Sequence, residues 1–426
     1  MSSMNIAFWL FLAMTNLSLS FAQPVSVKSF GAVGDGSTDD SAAFQRALNT
    51  GKPIIVGAGR FKISKTLFAP ASGLSIQGAG LTNTAIILAG GLSRLFHVTR
   101  GTLNLRDLWI QGAKGETNEP HKNGRLSAYK SLIYWIGLGP GKSSIQNVGF
   151  RYCPQFCIVT VELNSELKIH GSTFSFIPHG SSSGNGTSLY ETGAILINRG
   201  KGGVIDFQEN VVSNPPSQQP GGPGGIQIHS SIEQAPFIKA IISKNQFTHI
   251  GSPDYTNGGS LYAAVDIYSQ VHQAIISDNL FVGSTGAPIK IANSNSVQVL
   301  RNRIFGRVGL FTQAAISYGG CSRGSEYCSS EATDVLVSGN HIKDFGASDG
   351  IFFSAGILKG EQTYVNKVRV VGNTIQNTDV GIRLHHTDSP IVQSNTVTGF
   401  KVPYDIRNTR GASPCGALSL SSEVCD

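Results

Sequence analysis

Seven asparagines punctuate this chain at intervals that few folds can produce. Each follows a short run rich in Val and Ile and precedes a further β-favouring residue, as in Ile241-Ile242-Ser243-Lys244-Asn245-Gln246-Phe247 and Val368-Arg369-Val370-Val371-Gly372-Asn373-Thr374-Ile375. The series is Asn210, Asn245, Asn279, Asn302, Asn340, Asn373 and Asn395, and its shortest steps are those between 279 and 302 and between 373 and 395. A repeat of about 22 residues that carries short strands and no helix is the sequence signature of a parallel β-helix, whose coils stack about 4.8 Å apart. The longer steps are then a coil plus an insertion. Stacked at one corner, the asparagine amides would bond to one another and to the turn backbone, which is a structural task.

Composition supports this reading. Charged residues make up 14% of the 426, and 51 are glycine, which excludes a long helical bundle, a coiled coil and a charged disordered tail. With 33 Lys and Arg against 26 Asp and Glu the formal charge is +7. The basic residues are scattered among acids rather than clustered, so nucleic acid is a poor partner, while a polyanionic substrate suits the sign.

The first 22 residues read as a secretory signal: the apolar run Ala7 to Met14 is too short to span a bilayer, and Ser20-Phe21-Ala22 suits signal peptidase. The expected location is secreted or periplasmic, with no membrane contact after signal removal. Export also gives the cysteines a use. They fall as Cys153/Cys157, Cys321/Cys328 and Cys415/Cys425, three close pairs able to form disulfides, though six cysteines allow 15 connectivities. Asn185-Gly186-Thr187 is a glycosylation sequon.

Residues 23–60 form an N-terminal cap segment. Glycines 31, 34 and 36 permit a tight turn, Thr38 to Asp40 offer oxygens to cap a helix, and Ala43, Phe44, Ala47 and Leu48 form its apolar stripe. The stretch Phe30-Gly31-Ala32-Val33-Gly34-Asp35-Gly36-Ser37-Thr38-Asp39-Asp40 and the helix after it resemble the N-terminal signature of the pectate-lyase-like right-handed β-helix superfamily. That resemblance implies an all-β, single-stranded right-handed parallel β-helix with an N-terminal capping helix, over residues 61–410, with a tail at 411–426. Members of that superfamily hydrolyse, eliminate or merely bind polysaccharides, so chemistry has to be read from the site.

The second strand of each coil supplies that site. Ile226-Gln227-Ile228-His229, Val265-Asp266-Ile267-Tyr268, Ile289-Lys290-Ile291-Ala292, Ile382-Arg383-Leu384-His385 and Tyr404-Asp405-Ile406-Arg407 alternate apolar with other residues, which sends two columns outward. One column reads Leu196, Gln227, Asp266, Lys290, Phe352, Arg383, Asp405; the other reads Asn198, His229, Tyr268, Ala292, Ser354, His385, Arg407. Insertions at Ser175 to Thr192, Val212 to Gly224 and Ile250 to Leu261 precede this sheet at consecutive levels and should wall its central patch.

In that patch His229, Asp266, Tyr268 and Lys290 are the candidate catalytic residues. Eliminative cleavage of a uronate polymer needs a cation to neutralise the carboxylate, a base for the C5 proton and an acid for the leaving oxygen. Lys290 suits the first role, His229 or Tyr268 the others, and Asp266 would orient its neighbours. Gln227, Arg383, His385 and Arg407 are candidate substrate-binding residues, the arginines matching a sugar carboxylate. His386 should point away from His385.

Glycoside hydrolysis would need two carboxyls, Asp266 with Glu191, Glu233 or Asp254 from the walls. A non-catalytic adhesive or carbohydrate-binding β-helix is a third reading. No Asn-Thr-Asp, Gly-His-Gly or Arg-Ile-Lys set of the polygalacturonases occurs, nor the clustered aspartates by which pectate lyases hold calcium. No cofactor is evident; calcium stays open, without a ligand cluster, and a homotrimer is an option for such a fold. The leading expectation is a secreted lyase for an acidic extracellular polysaccharide.

Overall fold

In the computed structural model, the residues described are 23–113, 129–137, 139, 141–177, 192–200, 202–216, 223–230, 238–253, 260–268, 271–284, 286–307, 314–319, 333–355, 357–358, 361–411 and 424–425. The signal segment, the sequon, Cys321, Cys328, Cys415, Glu191, Glu233 and Asp254 lie outside them.

Strands pair in parallel from one coil to the next, beginning with Val25–Ser26 against Ile54–Ile55. Three rows of strands result. The sheet that carries both expected site columns, the groove sheet, contains, among others, Arg94–Val98, Ser131–Ile136, Phe156–Val161, Gly193–Gly200, Gly224–Ser230, Val265–Tyr268, Ile289–Ala292, Ala314–Gly319 and Asp349–Ser354. It continues through the second halves of Thr374–His385 and Thr396–Arg407. A second sheet runs through Glu166–His170, Val204–Gln208 and Ile238–Ser243, and a third through Thr173–Ser175, Val211–Ser213 and Gln246–Thr248.

Alternation fills the coil interior with Ile, Val, Leu and Phe at essentially zero exposure. Aromatic rings stack from coil to coil in register, Phe150 on Phe174 at 5.0 Å and Phe247 on Phe281 at 4.9 Å. Tyr318 and Phe353 stack at 5.2 Å under the groove sheet, and the buried Tyr318 hydroxyl donates to the Ser294 carbonyl.

The asparagine series forms one continuous column. The backbone N–H and the carboxamide of Asn210 both donate to Asn245 Oδ1, and the pattern repeats through Asn279, Asn302, Asn340 and Asn373 to Asn395. Each carboxamide also donates to a carbonyl of the preceding coil, as Asn245 Nδ2 does to Phe207 at 2.9 Å. The residue before each asparagine has a positive φ, from Glu209 at 57° to Ser394 at 54°, so the amide compensates a turn whose backbone would otherwise be unsatisfied.

The helix Ser41–Leu48 caps the first coils, burying Ala43, Phe44, Ala47 and Leu48, with Phe44 edge-on to Phe61 at 5.5 Å. Its expected cap differs. The carboxylate of Asp40 turns back to accept from the Val33 and Gly34 amides at 2.7 and 3.1 Å, and Asp39 instead accepts from the Ser41 amide. The glycine turn exposes two amides that bind Asp40 more closely than the helix end does. Cys153 and Cys157 form a disulfide that closes the turn between Lys142–Arg151 and Phe156–Val161. The backbone of Cys425 is paired with Ile406, on the last coil.

Candidate functional site

Inward aliphatics set the register of the groove sheet. Ile226, Ile228, Val265, Ile267, Ile289 and Ile291 all face the core, leaving the intervening residues on the outer face. Gln227 pairs with Asp266, which pairs with Lys290, and His229 pairs with Tyr268, which pairs with Ala292. The structure thus brings the four expected catalytic positions together on two adjacent columns over three coils.

The sheet holds one coil more than the two columns predict. Ala314–Gly319 inserts Ser317 between Lys290 and Phe352, and Gly319 between Ala292 and Ser354. Its outward residues, Ser317 and Gly319, are small and uncharged, so the segment adds no reactive side chain to either column. Lys290 and Arg383 are consequently three coils apart, roughly 14 Å.

Side chains along the first column sit low. Leu196 is fully buried and packs with Tyr134, Phe156, Val159 and Val161 in a separate apolar cluster outside the coil core. Gln227 is 1% exposed, and its amide donates to the Thr192 carbonyl at 3.1 Å. Asp266 is 6% exposed, and its Oδ1 has no hydrogen-bond partner among the described residues. A buried carboxylate oxygen left without a donor is costly, which makes this position a place to expect a ligand group. His229 and Lys290 are half-buried beside it. The Tyr268 side chain lies outside the described residues.

The expected walls differ slightly in extent. Ser175 and Val212 belong to third-sheet strands, so those insertions begin later, and the bodies of all three, 178–191, 217–222 and 254–259, fall outside the described residues. Ser252–Pro253 and Ser260–Tyr262 form a short antiparallel pair at the base of the third.

Farther along the same face the polar cluster at the C-terminal end contains one more member than expected. Arg383 Nε lies 3.1 Å from Asp349 and 3.4 Å from Asp405. His385 Nε2 is 3.5 Å from Asp405 Oδ2, while Arg407 Nε donates to Asp405 Oδ1 at 2.7 Å. Asp379 stands nearby, paired with Lys401 at 2.7 Å. Burial pushes Asp349 up from 3.8 to about 7; Arg383 opposes this, while Asp379 and Asp405 add to it. Sequence patterning missed Asp349 because it stands at the corner where the strand begins. The available signal was a carboxyl in a column that holds Ala314 on the preceding coil. As expected, His386 departs from the His385 face, packing its ring near Tyr364.

Other charged features lie elsewhere. On the second sheet Lys142, Glu166, Lys168, Asp206 and His170 pair with one another within 3.9 Å. A cavity of about 260 Å³, lined in part by Ile55, Gln77, Arg106 and Gln146, also opens on that sheet. Among the described residues no group of three His, Cys, Asp or Glu could hold a metal ion, and no helix is long and apolar enough to cross a membrane.

Residues 156–402, well over half the chain, match the family model for the right-handed β-helix region. The chain belongs to the right-handed β-helix family. A second model, described as rhamnogalacturonase A/epimerase, pectate lyase-like, matches residues 24–128 of this β-helix protein. Among curated proteins, the pre-neck appendage protein of Bacillus phage B103 is 45% identical over 62 residues, 15% of this chain and 7% of that protein. Matched segments thus span less than a tenth of such relatives.

Solved structures align over far more of this β-helix. The A-module of a mannuronan C-5 epimerase from Azotobacter vinelandii superposes with a TM-score of 0.52 at 16% identity, covering 92% of this chain and all of that one. PfbA, a surface adhesin of Streptococcus pneumoniae, gives 0.56 at 15% identity, covering 89% and 91%. A family 28 exopolygalacturonase of Yersinia enterocolitica gives 0.53 at 12%, covering 91% and 78%. At such identities the likeness is one of fold.

Proposed function

We propose that this protein is a secreted enzyme that cleaves an acidic, uronate-containing polysaccharide by β-elimination in the trough of the groove sheet. The observation that carries the reading is the register itself, which sets Asp266, with a buried oxygen that has no partner among the described residues, beside Lys290 on one column and His229 beside Tyr268 on the next. Lys290 neutralises the sugar carboxylate, which acidifies the C5 proton; His229 or Tyr268 removes that proton, and the other protonates the leaving oxygen. Asp266 orients the pair. Arg383, His385 and Arg407, some three coils on, bind the carboxylate of another sugar of the same chain. The structural likeness to a mannuronan C-5 epimerase agrees with C5 chemistry on a uronate.

Incubation with polymers of galacturonate, mannuronate, guluronate and glucuronate tests the proposal. Ultraviolet absorbance from an unsaturated uronate supports it. Reducing ends without that absorbance point to hydrolysis, and retention on the glycan without either points to an adhesive role.

One observation favours hydrolysis as the second reading. Asp349 and Asp405 flank the same guanidinium, and the two distances bound the separation of those oxygens at 6.5 Å. A carboxylic acid raised to near neutrality beside a second carboxyl group is what glycoside hydrolysis requires, and this pair takes the place of Asp266 and a loop acid.

A further inference from the structure

We propose that Asp349 is a specificity-determining residue of the groove: its carboxyl shares the Arg383 guanidinium with Asp405, and only its acid form leaves Arg383 with net positive charge for a sugar carboxylate. The inference rests on the acidic-glycan reading above and assigns its control to a residue outside the columns that carry it.

The geometry sets two carboxylates against the same atom, Arg383 Nε. Asp405 has other partners to hold it: Arg407 at 2.7 Å and the His385 ring at 3.5 Å. Among the described residues Asp349 is ion-paired with Arg383 alone, at 3.1 Å, and its side chain is 9% exposed. Packed against it, Thr374–His385 contributes Asp379, Arg383 and His385, and Thr396–Arg407 contributes Asp405, Arg407 and, through Asp379, Lys401. Ala314, its partner on the preceding coil, is uncharged.

Counting this group, Asp379 and Lys401 cancel. Arg383 and Arg407 then face Asp405 with one positive charge in excess while Asp349 is protonated, and with none once it ionises. A sugar carboxylate is attracted in the first state and meets a charge-neutralised group in the second. Burial and two neighbouring carboxylates place that change near neutral pH. Protonated Asp349 also offers an O–H donor that the anion lacks.

Calorimetric titration at pH 6 and pH 8 tests this. Probes are trisaccharides of galacturonate, mannuronate, guluronate and glucuronate, each beside its carboxyl-reduced neutral form. The wild-type protein should bind one or more acidic trisaccharides roughly tenfold more weakly at pH 8 than at pH 6. Asp349→Asn should keep the pH 6 affinity at both values, with Asp349→Ser as a second uncharged variant should the first fail to fold.

Several outcomes overturn the assignment: an unchanged pH response in both Asp349 variants, the same response with the neutral sugars, or no acidic trisaccharide bound at pH 6. Product formation in the same samples separates the two proposals. Unsaturated product without an Asp349-dependent response rejects this inference alone, and an Asp349-dependent response without product rejects elimination alone.

Discussion

Asn279 Oδ1 accepts from both the backbone N–H and the carboxamide of Asn245, each at 2.9 Å. Its own carboxamide donates onward to Asn302 and back to the Ile242 carbonyl. Replacement by alanine therefore strands several buried polar groups at once. Asn279→Ala should destabilise the protein by roughly 3–5 kcal/mol. Asn395→Ala, at the less buried end of the column, should cost about 1 kcal/mol. Chemical denaturation of the two variants checks the difference, and equal costs would show that the column is decorative.

Asp349 should make stability depend on pH. Its folded value of about 7 lies above the ordinary 3.8, so between those limits the folded protein holds a proton that the unfolded chain has released. Stability from this group is fully present below about pH 4 and is lost as pH rises through 7. Relative to wild type, Asp349→Asn should gain on the order of 2–4 kcal/mol between pH 4 and pH 8. Denaturation curves for both proteins across that range measure it; a constant difference would reject the assignment.

Lys290→Ala and Asp266→Asn should each lower the rate of product formation by about 10²–10⁴-fold, the usual span for a lost charge-stabilising or proton-transfer group. Far-ultraviolet circular dichroism should be unchanged. Full activity in both variants would remove this patch from the chemistry.

Gly34 and Gly51 both have positive φ, 75° and 68°, but differ in surroundings. A Cβ at Gly34 would come within 2.6 Å of the Phe61 ring, whereas nothing lies within 4 Å at Gly51. Gly34→Ala should cost roughly 2–4 kcal/mol and Gly51→Ala about 1 kcal/mol, the second measuring backbone strain alone. Thermal unfolding midpoints of the two proteins provide the comparison.

The coil repeat was readable because one chemical group, the asparagine amide, is required at one corner and few residues can replace it. The outward columns were readable where large aliphatics alternate, as at Ile226 and Ile228 or Ile289 and Ile291. Ala314–Gly319 alternates as well, at Ile316 and Tyr318, but its outward Ser317 and Gly319 present nothing reactive, and it escaped. Asp349 escaped for another reason: its partners Asp379, Arg383 and Asp405 come from later coils, and strand periodicity does not extend to the corner it occupies. Burial of Gln227 was equally invisible, since its partner is the Thr192 carbonyl on the preceding coil.

Because each amide of the corner column binds only its immediate neighbours, one whole turn of the spiral is a self-contained module. Duplication or excision of such a module would lengthen or shorten the trough by one step while leaving the remaining steps in place. Gene-level insertion could thus match the reach of the molecule to the repeat length of a polymer without redesigning its interior.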